Sequence, residues 1–324
     1  MFRRITQLFF ITLLSVSAHS QAQEYPSRNI TIIVPFSAGS ASDVMTRIVA
    51  EKMFVTGGAR RIVIENRPAA GGNVGTGAVA KADPDGYTLL ASASGPLAAN
   101  KALYPKLGYD PETDFAPIAL FASLPNIIVV SAKTPLTTLT EMIEYIKKTP
   151  KVPYSSVGNG SSQHLAGAYF EQLVGVQMNH IPYRITSQLQ ADLVSGEVPV
   201  SFQLLPNVVG QIKAGQIRAL AIASTKRLPA LPNVPTAGEL GVKGYESAAW
   251  FAFVAPKGTP RAIVDRVNKE IVSAMADPAV RARFNELGAE PHASSPEELA
   301  RFISAEVTKW RGIITRGGIT IDPQ

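Results

Sequence analysis

Short apolar runs bounded by small-residue loops alternate along this chain with stretches whose apolar residues recur every three or four positions. Residues 29–35 form a β-branched apolar run and predict a buried strand. Downstream, Val44, Met45, Ile48, Val49 and Met53 fall on one helical face, with Ser42 or Asp43 placed to cap that helix. Strands are predicted at 61–65, 87–92, 116–121 and 126–131. Thr138 and Glu141 then make a capping box ahead of Met142, Ile143 and Ile146. The pattern continues as a strand at 153–157, a helix at 162–174 closed by Gly175, a strand at 179–183, a helix at 187–194, and strands at 198–203 and 217–224. Two amphipathic patterns follow, one through Ile263, Val264, Val267, Ile271 and Met275, the other through Leu299, Phe302, Ile303, Val307, Trp310 and Ile314. Such alternation predicts an α/β architecture with mostly parallel sheets.

The amino terminus reads differently. Arg3 and Arg4 precede the apolar stretch 8–16, and small residues at Ser20 and Ala22 suit cleavage after Ala22. That stretch is far shorter than the ~20 residues a membrane-spanning helix needs. Residues 1–22 are therefore expected to be a secretory signal, and the mature chain a soluble protein of the periplasm. About 300 residues then remain, enough for two domains of ordinary size. Periodicity breaks at 123–125 and at the proline-rich stretch 226–235. If both are crossings, 23–124 plus 230–324 form one discontinuous domain, 125–229 form the other, and the two crossings make a hinge.

Composition narrows the chemistry. The chain has no cysteine, so neither disulfides nor a thiol nucleophile is available. Its formal charge is +6, with no basic run long enough for nucleic acid; Arg60-Arg61 and Lys147-Lys148 are isolated pairs. His164, His180 and His292 show no metal-ligand spacing, so no metal is expected. The Gly-x-Gly-x-x-Ala match at 75–80 starts well after the preceding strand and lacks the acidic residue about 20 positions on, which argues against a nucleotide cofactor. There is no Gly-x-Ser-x-Gly elbow, and Ser162 and His164 diverge as i and i+2 of a helix. No catalytic residue is assigned.

What remains is a repeated design: a strand end, a loop of Gly, Ser and Ala, then a helix start. It occurs at 36–43, 92–96 and 156–164. In open sheets such loops lie at the carboxyl ends of strands, where ligands bind, and helix-start N–H groups attract an anion. Each loop by itself is also ordinary turn and cap chemistry. Arg184, after a strand, could pair with a carboxylate in two-pronged fashion or be a surface charge.

Ordered motifs then carry a resemblance. VPFSAGSASD (34–43), VIENRPAAGGNVGT (63–76), KADPDGYTLL (81–90), YDPETDFAPI (109–118), SSVGNGSSQHLAG (155–167), HIPYR (180–184) and LPNVPTAGELG (231–241) resemble the receptors of tripartite tricarboxylate transporters, the Bug proteins, over essentially the whole mature chain. The resemblance implies a type II periplasmic-binding-protein fold (a two-domain Venus flytrap), no enzymatic activity, and capture of a small carboxylate for a membrane permease, by a chain expected to be a monomer. It implies that the carboxylate is held by the loops matched here at 36–43 and 155–164. With the residue-level reading added, the expected ligand contacts are Phe36, Ser37, Ala38, Gly39, Ser40, Ala41, Ser94, Ser161, Ser162, Arg184, Thr186 and Gln203. Three positions depart from the family pattern. Ser40 and Ile185 stand where glycine is common, and Pro199 where aspartate is common. Ile185 adds apolar bulk, and Pro199 removes a partner for a ligand ammonium. Both favour dicarboxylates without nitrogen, aliphatic or aromatic.

Overall fold

The computed structural model describes residues 25–56 and 59–321, so the expected signal at 1–22 lies outside the described residues. The chain opens with β1 (Ile30–Val34), α1 (Ala41–Ala50), β2 (Ile62–Asn66), α2 (Asn73–Ala80), β3 (Thr88–Ala93) and β4 (Phe115–Pro125). Next come β5 (Ile127–Ser131), α3 (Leu139–Lys148), β6 (Val152–Ser156), α4 (Ser162–Val174), β7 (Met178–Pro182), α5 (Thr186–Ser195), β8 (Val200–Gln203), α6 (Leu205–Lys213) and β9 (Ile217–Ile222). The last elements are β10 (Ala248–Pro256), α7 (Arg261–Ala276), α8 (Pro278–Glu286), β11 (Glu290–Pro291) and α9 (Pro296–Gly317).

Two sheets organise these elements into two lobes. The larger runs β11-β4-β10-β3-β1-β2 and the smaller β9-β5-β8-β6-β7. Both are mixed rather than mostly parallel, a correction to the pattern-based expectation. β1 is parallel to β2 and β3, but β10 is antiparallel to both β3 and β4. In the smaller sheet β6 is parallel to β7 and β8, while β5 is antiparallel to β8 and β9. The reason is the hinge. Strands whose carboxyl ends face the cleft are parallel to one another, and a strand leaving the hinge must run the other way. β5 and β10 are those departing strands.

Each sheet is covered on both faces. Ile32 and Val34 of β1 point toward α1 and α7, and Ile33 points to the α9 side with Leu299, Ile303 and Trp310. Ile128 and Val130 of β5 face α3 and α4, and Ile127 and Val129 the opposite side with α6. Burial on both faces also explains β10. Its sequence is uniformly apolar, without the period of two that marks a half-exposed strand.

Residues after β9 stay with the smaller sheet. Leu228 and Val234 pack on Ile127 and Val129, and Ala237, Val242 and Tyr245 pack with Tyr154 and Phe170. We therefore draw the second crossing at Ser247, beyond the proline-rich stretch that the sequence marks. There the two crossings clasp each other: Asn126 N–H donates to Ser247 O at 2.8 Å, and Asn126 Nδ2 donates to Ser247 Oγ at 3.0 Å.

Caps follow the sequence with one correction. Thr138 and Glu141 close their capping box, and Gly175 ends α4 in the left-handed region at φ 66°. The cap of α1, however, is Ser40 rather than Ser42 or Asp43. Ser40 is extended (φ −69°, ψ 161°) and its Oγ accepts from Asp43 N–H at 3.4 Å. Ser42 and Asp43 thus sit inside the first turn, where their side chains take other roles.

Candidate functional site

α1 and α4 start on opposite lobes and point their amino ends at each other across the cleft. A small inner cavity, about 20 Å³, lies there, lined by Ser40, Ala41 and Ser42 of the first loop and by Ser161, Ser162 and Gln163 of the loop opposite. Ala93, Gly95, Phe251 and Asn207 complete its wall. Helix geometry leaves the N–H groups of Ser42, Ser162 and Gln163 without intrahelical partners. Ser42 Oγ, in this lining, is buried with no hydrogen-bond partner among the described residues, and so is Ser94 Oγ, which lies outside the lining between Ala93 and Gly95. An unpaired buried polar group costs about 1–3 kcal/mol, so Ser42 Oγ, which opens on the cavity, is placed to receive a polar guest. The site combines two helix dipoles, amide donors and hydroxyls, and the described residues place no carboxylate among its lining side chains.

Next to it lies an outer cavity of about 350 Å³, lined by Phe36, Ser37, the stretch 68–72, Val157, Gly158, Tyr183 and Arg184. Phe36 lines both cavities and is itself buried. A larger cavity, about 840 Å³, sits behind the hinge around Pro125, Ser247 and Trp250. It touches neither helix start, and the orphan serine hydroxyls of the cleft are not in its lining. The cleft chemistry therefore lies elsewhere.

Asp43 shapes the first loop. Its buried carboxylate accepts from Gly39 N–H at 2.9 Å, from Arg47 Nε at 2.9 Å and from Asn66 Nδ2 at 2.9 Å. Burial alone would raise its pKa, but the bonds from Arg47, Gly39 and Asn66 together hold it below the ordinary carboxylate value. The second loop rests on histidines. His164 and His180 stack with ring centroids 4.1 Å apart, His164 Nδ1 accepts from Gly160 N–H at 3.1 Å, and His180 Nε2 lies 2.6 Å from Ser156 Oγ. Burial pushes His164 down to about 4; burial and then the neighbouring His164 push His180 down to about 2.

The linkage has a definite sign. Unfolded histidine takes up a proton near pH 6.5 and the folded pair does not, so the pair's contribution is complete above 6.5 and declines as pH falls toward 4. The thermal midpoint should drop over that window, and His180→Asn, which keeps a polar group for Ser156, should flatten the slope in a pH series of melting curves. An unchanged slope would remove the pair from acid sensitivity.

The residues singled out from sequence fall into distinct places. Ser40, Ala41, Ser161 and Ser162 surround the inner cavity, and Ser94 is buried beside Ala93 and Gly95. Ser37 and Arg184 line the outer one. Ser37 Oγ also meets Thr186 Oγ1 at 2.8 Å and accepts from Thr186 N–H at 3.2 Å, tying α5 to the opposite lobe. Ala38 and Gly39 are exposed at the loop tip and outside both linings. Gln203 is buried behind Asn207, its Oε1 accepting from Asn207 Nδ2 at 2.8 Å. Sequence reasoning included Ser42 and Gln163 only within the loops 36–43 and 155–164, and passed over Asn207 and the stretch 68–72. Asn207 did carry a signal: it follows a strand end and sits in the first turn of a helix, the same design as the three loops.

Two lobes on a double crossing, with amide-rich helix starts meeting in the cleft, define a solute-binding receptor of the periplasmic-binding-protein type. The model of the tripartite tricarboxylate transporter family receptor matches residues 45–319, and the chain belongs to that family. Its fold is similar to that of the periplasmic binding protein BugD, at 36% identity and a TM-score of 0.87 over 91% of this chain and 99% of that one. It is also similar to Rpa4515 of R. palustris, solved with adipate, at 34% identity and a TM-score of 0.88 over 92% of this chain and 99% of that one. MatC from Rhodopseudomonas palustris, solved with malate, is 32% identical with a TM-score of 0.84 over 90% of this chain and all of that one. Proteins of this family are binding receptors rather than enzymes.

Proposed function

We propose that this receptor, exported by the leader at 1–22, captures a small dicarboxylate between its lobes and delivers it to the membrane subunits of a tripartite transporter. The observation that carries this is the pairing of two chemistries on either side of Phe36. One carboxylate would lie against the helix starts of α1 and α4 with the orphan hydroxyl of Ser42. The body of the ligand would extend along Phe36 into the outer cavity, where Arg184 can meet a second carboxylate. Relatives solved with adipate and with malate support the class of ligand. Neither cavity lining includes an aspartate or glutamate among the described residues, which favours diacids over amino acids.

A thermal-shift panel of mono-, di- and tricarboxylates tests this. A ligand present at 100-fold over Kd adds about 2.7 kcal/mol of stability, a rise of several degrees. Dicarboxylates should give the largest rise. Arg184→Ala should weaken a dicarboxylate roughly 10- to 100-fold, in keeping with a charge-assisted pair, and leave monocarboxylates little changed. No rise with any carboxylate at millimolar concentration would overturn the reading, and equal losses for mono- and diacids would take Arg184 out of the site.

A further inference from the structure

Each lobe caps a helix of the other. Ser37 from the first lobe supplies the oxygen that receives Thr186 N–H at the start of α5, whose own cap residue, Ile185, has none to give. In return Asn207, from α6 of the second lobe, places its Oδ1 2.7 Å from Ala41 N at the start of α1. Asn207 is almost fully buried, and its amide is not free to turn. Its Nδ2 donates to Gln203 Oε1 at 2.8 Å, Gln203 Nε2 donates to Ser201 Oγ at 2.8 Å, and Ser155 Oγ donates to Ser201 Oγ at 2.7 Å. This chain of bonds settles which end of the Asn207 amide faces α1: the donor end is used within its own lobe, so the acceptor end crosses the cleft.

We infer that Asn207 is the latch of this receptor and Gln203 its positioning residue. Closure of the lobes completes the cap of α1 through Asn207 Oδ1, so the closed form gains a hydrogen bond at a helix start that the open form leaves to solvent. The arrangement also selects among the anion-binding groups. Ala41 N–H is taken by the protein itself, and a ligand carboxylate is confined to what is left: Ser42 N–H and Oγ, and the Ser162 and Gln163 N–H groups opposite. Gln203, singled out from sequence as a ligand contact, then acts one step back, by holding Asn207. The inference rests on the receptor reading only in taking closure as the binding event.

The test reads closure directly. The chain has no cysteine of its own, so two can be introduced at exposed positions, Val74 on α2 and Glu144 on α3, to carry a donor and acceptor dye. With no ligand added, Asn207→Ala should lower the closed-to-open ratio about fivefold, the scale of one net hydrogen bond. Gln203→Ala should do much the same, and the double variant no more than Asn207→Ala alone, because both act through one contact. Asn207→Asp retains an acceptor facing the α1 start but loses the donor to Gln203 Oε1, so its ratio should lie between those of Asn207→Ala and the parent, while its charge weakens carboxylate binding. An unchanged ratio in Asn207→Ala, or additive losses in the double variant, would overturn the latch. If Asn207→Ala fails to fold, the Gln203→Ala and Asn207→Asp pair decides by the same ratios. Because closure is read without ligand, a protein that binds no carboxylate still answers the question. One that binds a carboxylate and closes equally well without Asn207 sinks the latch alone.

Discussion

Gly95→Ala is expected to abolish tight ligand binding while leaving both lobes folded. Gly95 begins the helical turn after β3, on the first lobe, and faces the loop of the second. A Cβ built there would stand 2.3 Å from Gly160 O and 3.2 Å from Gly160 C, contacts that backbone atoms cannot yield without the lobes parting. Gly95 opens a helical turn and lies outside the left-handed region, so alanine is no strain on its own lobe and favours the helical turn by up to about 1 kcal/mol. The penalty falls only on the closed form. If closure is held off by about 3 kcal/mol, apparent affinity falls by more than 100-fold, since it scales with the closed fraction. Calorimetric titration with the best dicarboxylate should show that loss, scattering should show a protein fixed open, and the melting curve without ligand should be unchanged or higher. Parental affinity in Gly95→Ala would mean the lobes do not need this approach to bind. Gly71 is a less clean test. Its Cβ would come within 1.8 Å of Asn159 O, but its φ of +62° strains any side chain in either form.

The second large effect concerns the first loop. Asp43→Ala is expected to lower stability by roughly 2–3 kcal/mol and to weaken binding as well, because one carboxylate holds Gly39, Arg47 and Asn66 together. Asn66 also donates to Phe36 O at 3.0 Å, so loosening Asn66 frees the residue that lines both cavities. The acid dependence follows from the lowered pKa. The contribution of Asp43 is complete above the unfolded carboxylate value near 4 and is lost as pH falls through the lower folded value. Denaturant titrations should therefore show parent and variant well separated at pH 7 and converging below pH 4. A constant gap across that range would mean that packing, and not the charge, is what Asp43 supplies.

The first prediction depends on a contact between residues far apart in the chain, and the second does so through Asn66, and that is where sequence reading stopped. The three small-residue loops were legible because each is a local event: a strand ends, a helix starts, and the residues at the join must be small or polar. Their convergence was legible only through the order of family motifs. Gln203 shows the difficulty. Its neighbourhood marks it as part of the site, but only the fold reveals that Asn207 stands between it and the cleft. His164 and His180 read as scattered single residues, and α4 packed against β7 makes them a stacked pair.

By itself the sequence determined the α/β alternation, the capping box at Thr138, the left-handed end of α4 at Gly175 and the loops that start α1 and α4. All of these depend on dihedral preference and on apolar spacing within a few residues. Strand direction, the crossing at Ser247 and the exchange of caps between lobes were decided only by the tertiary structure. A strand's sense follows from which side of the hinge the chain enters, and an amide's orientation follows from partners on other strands. Residues 41 and 207 meet because two sheets close on each other, and no local rule relates positions so far apart.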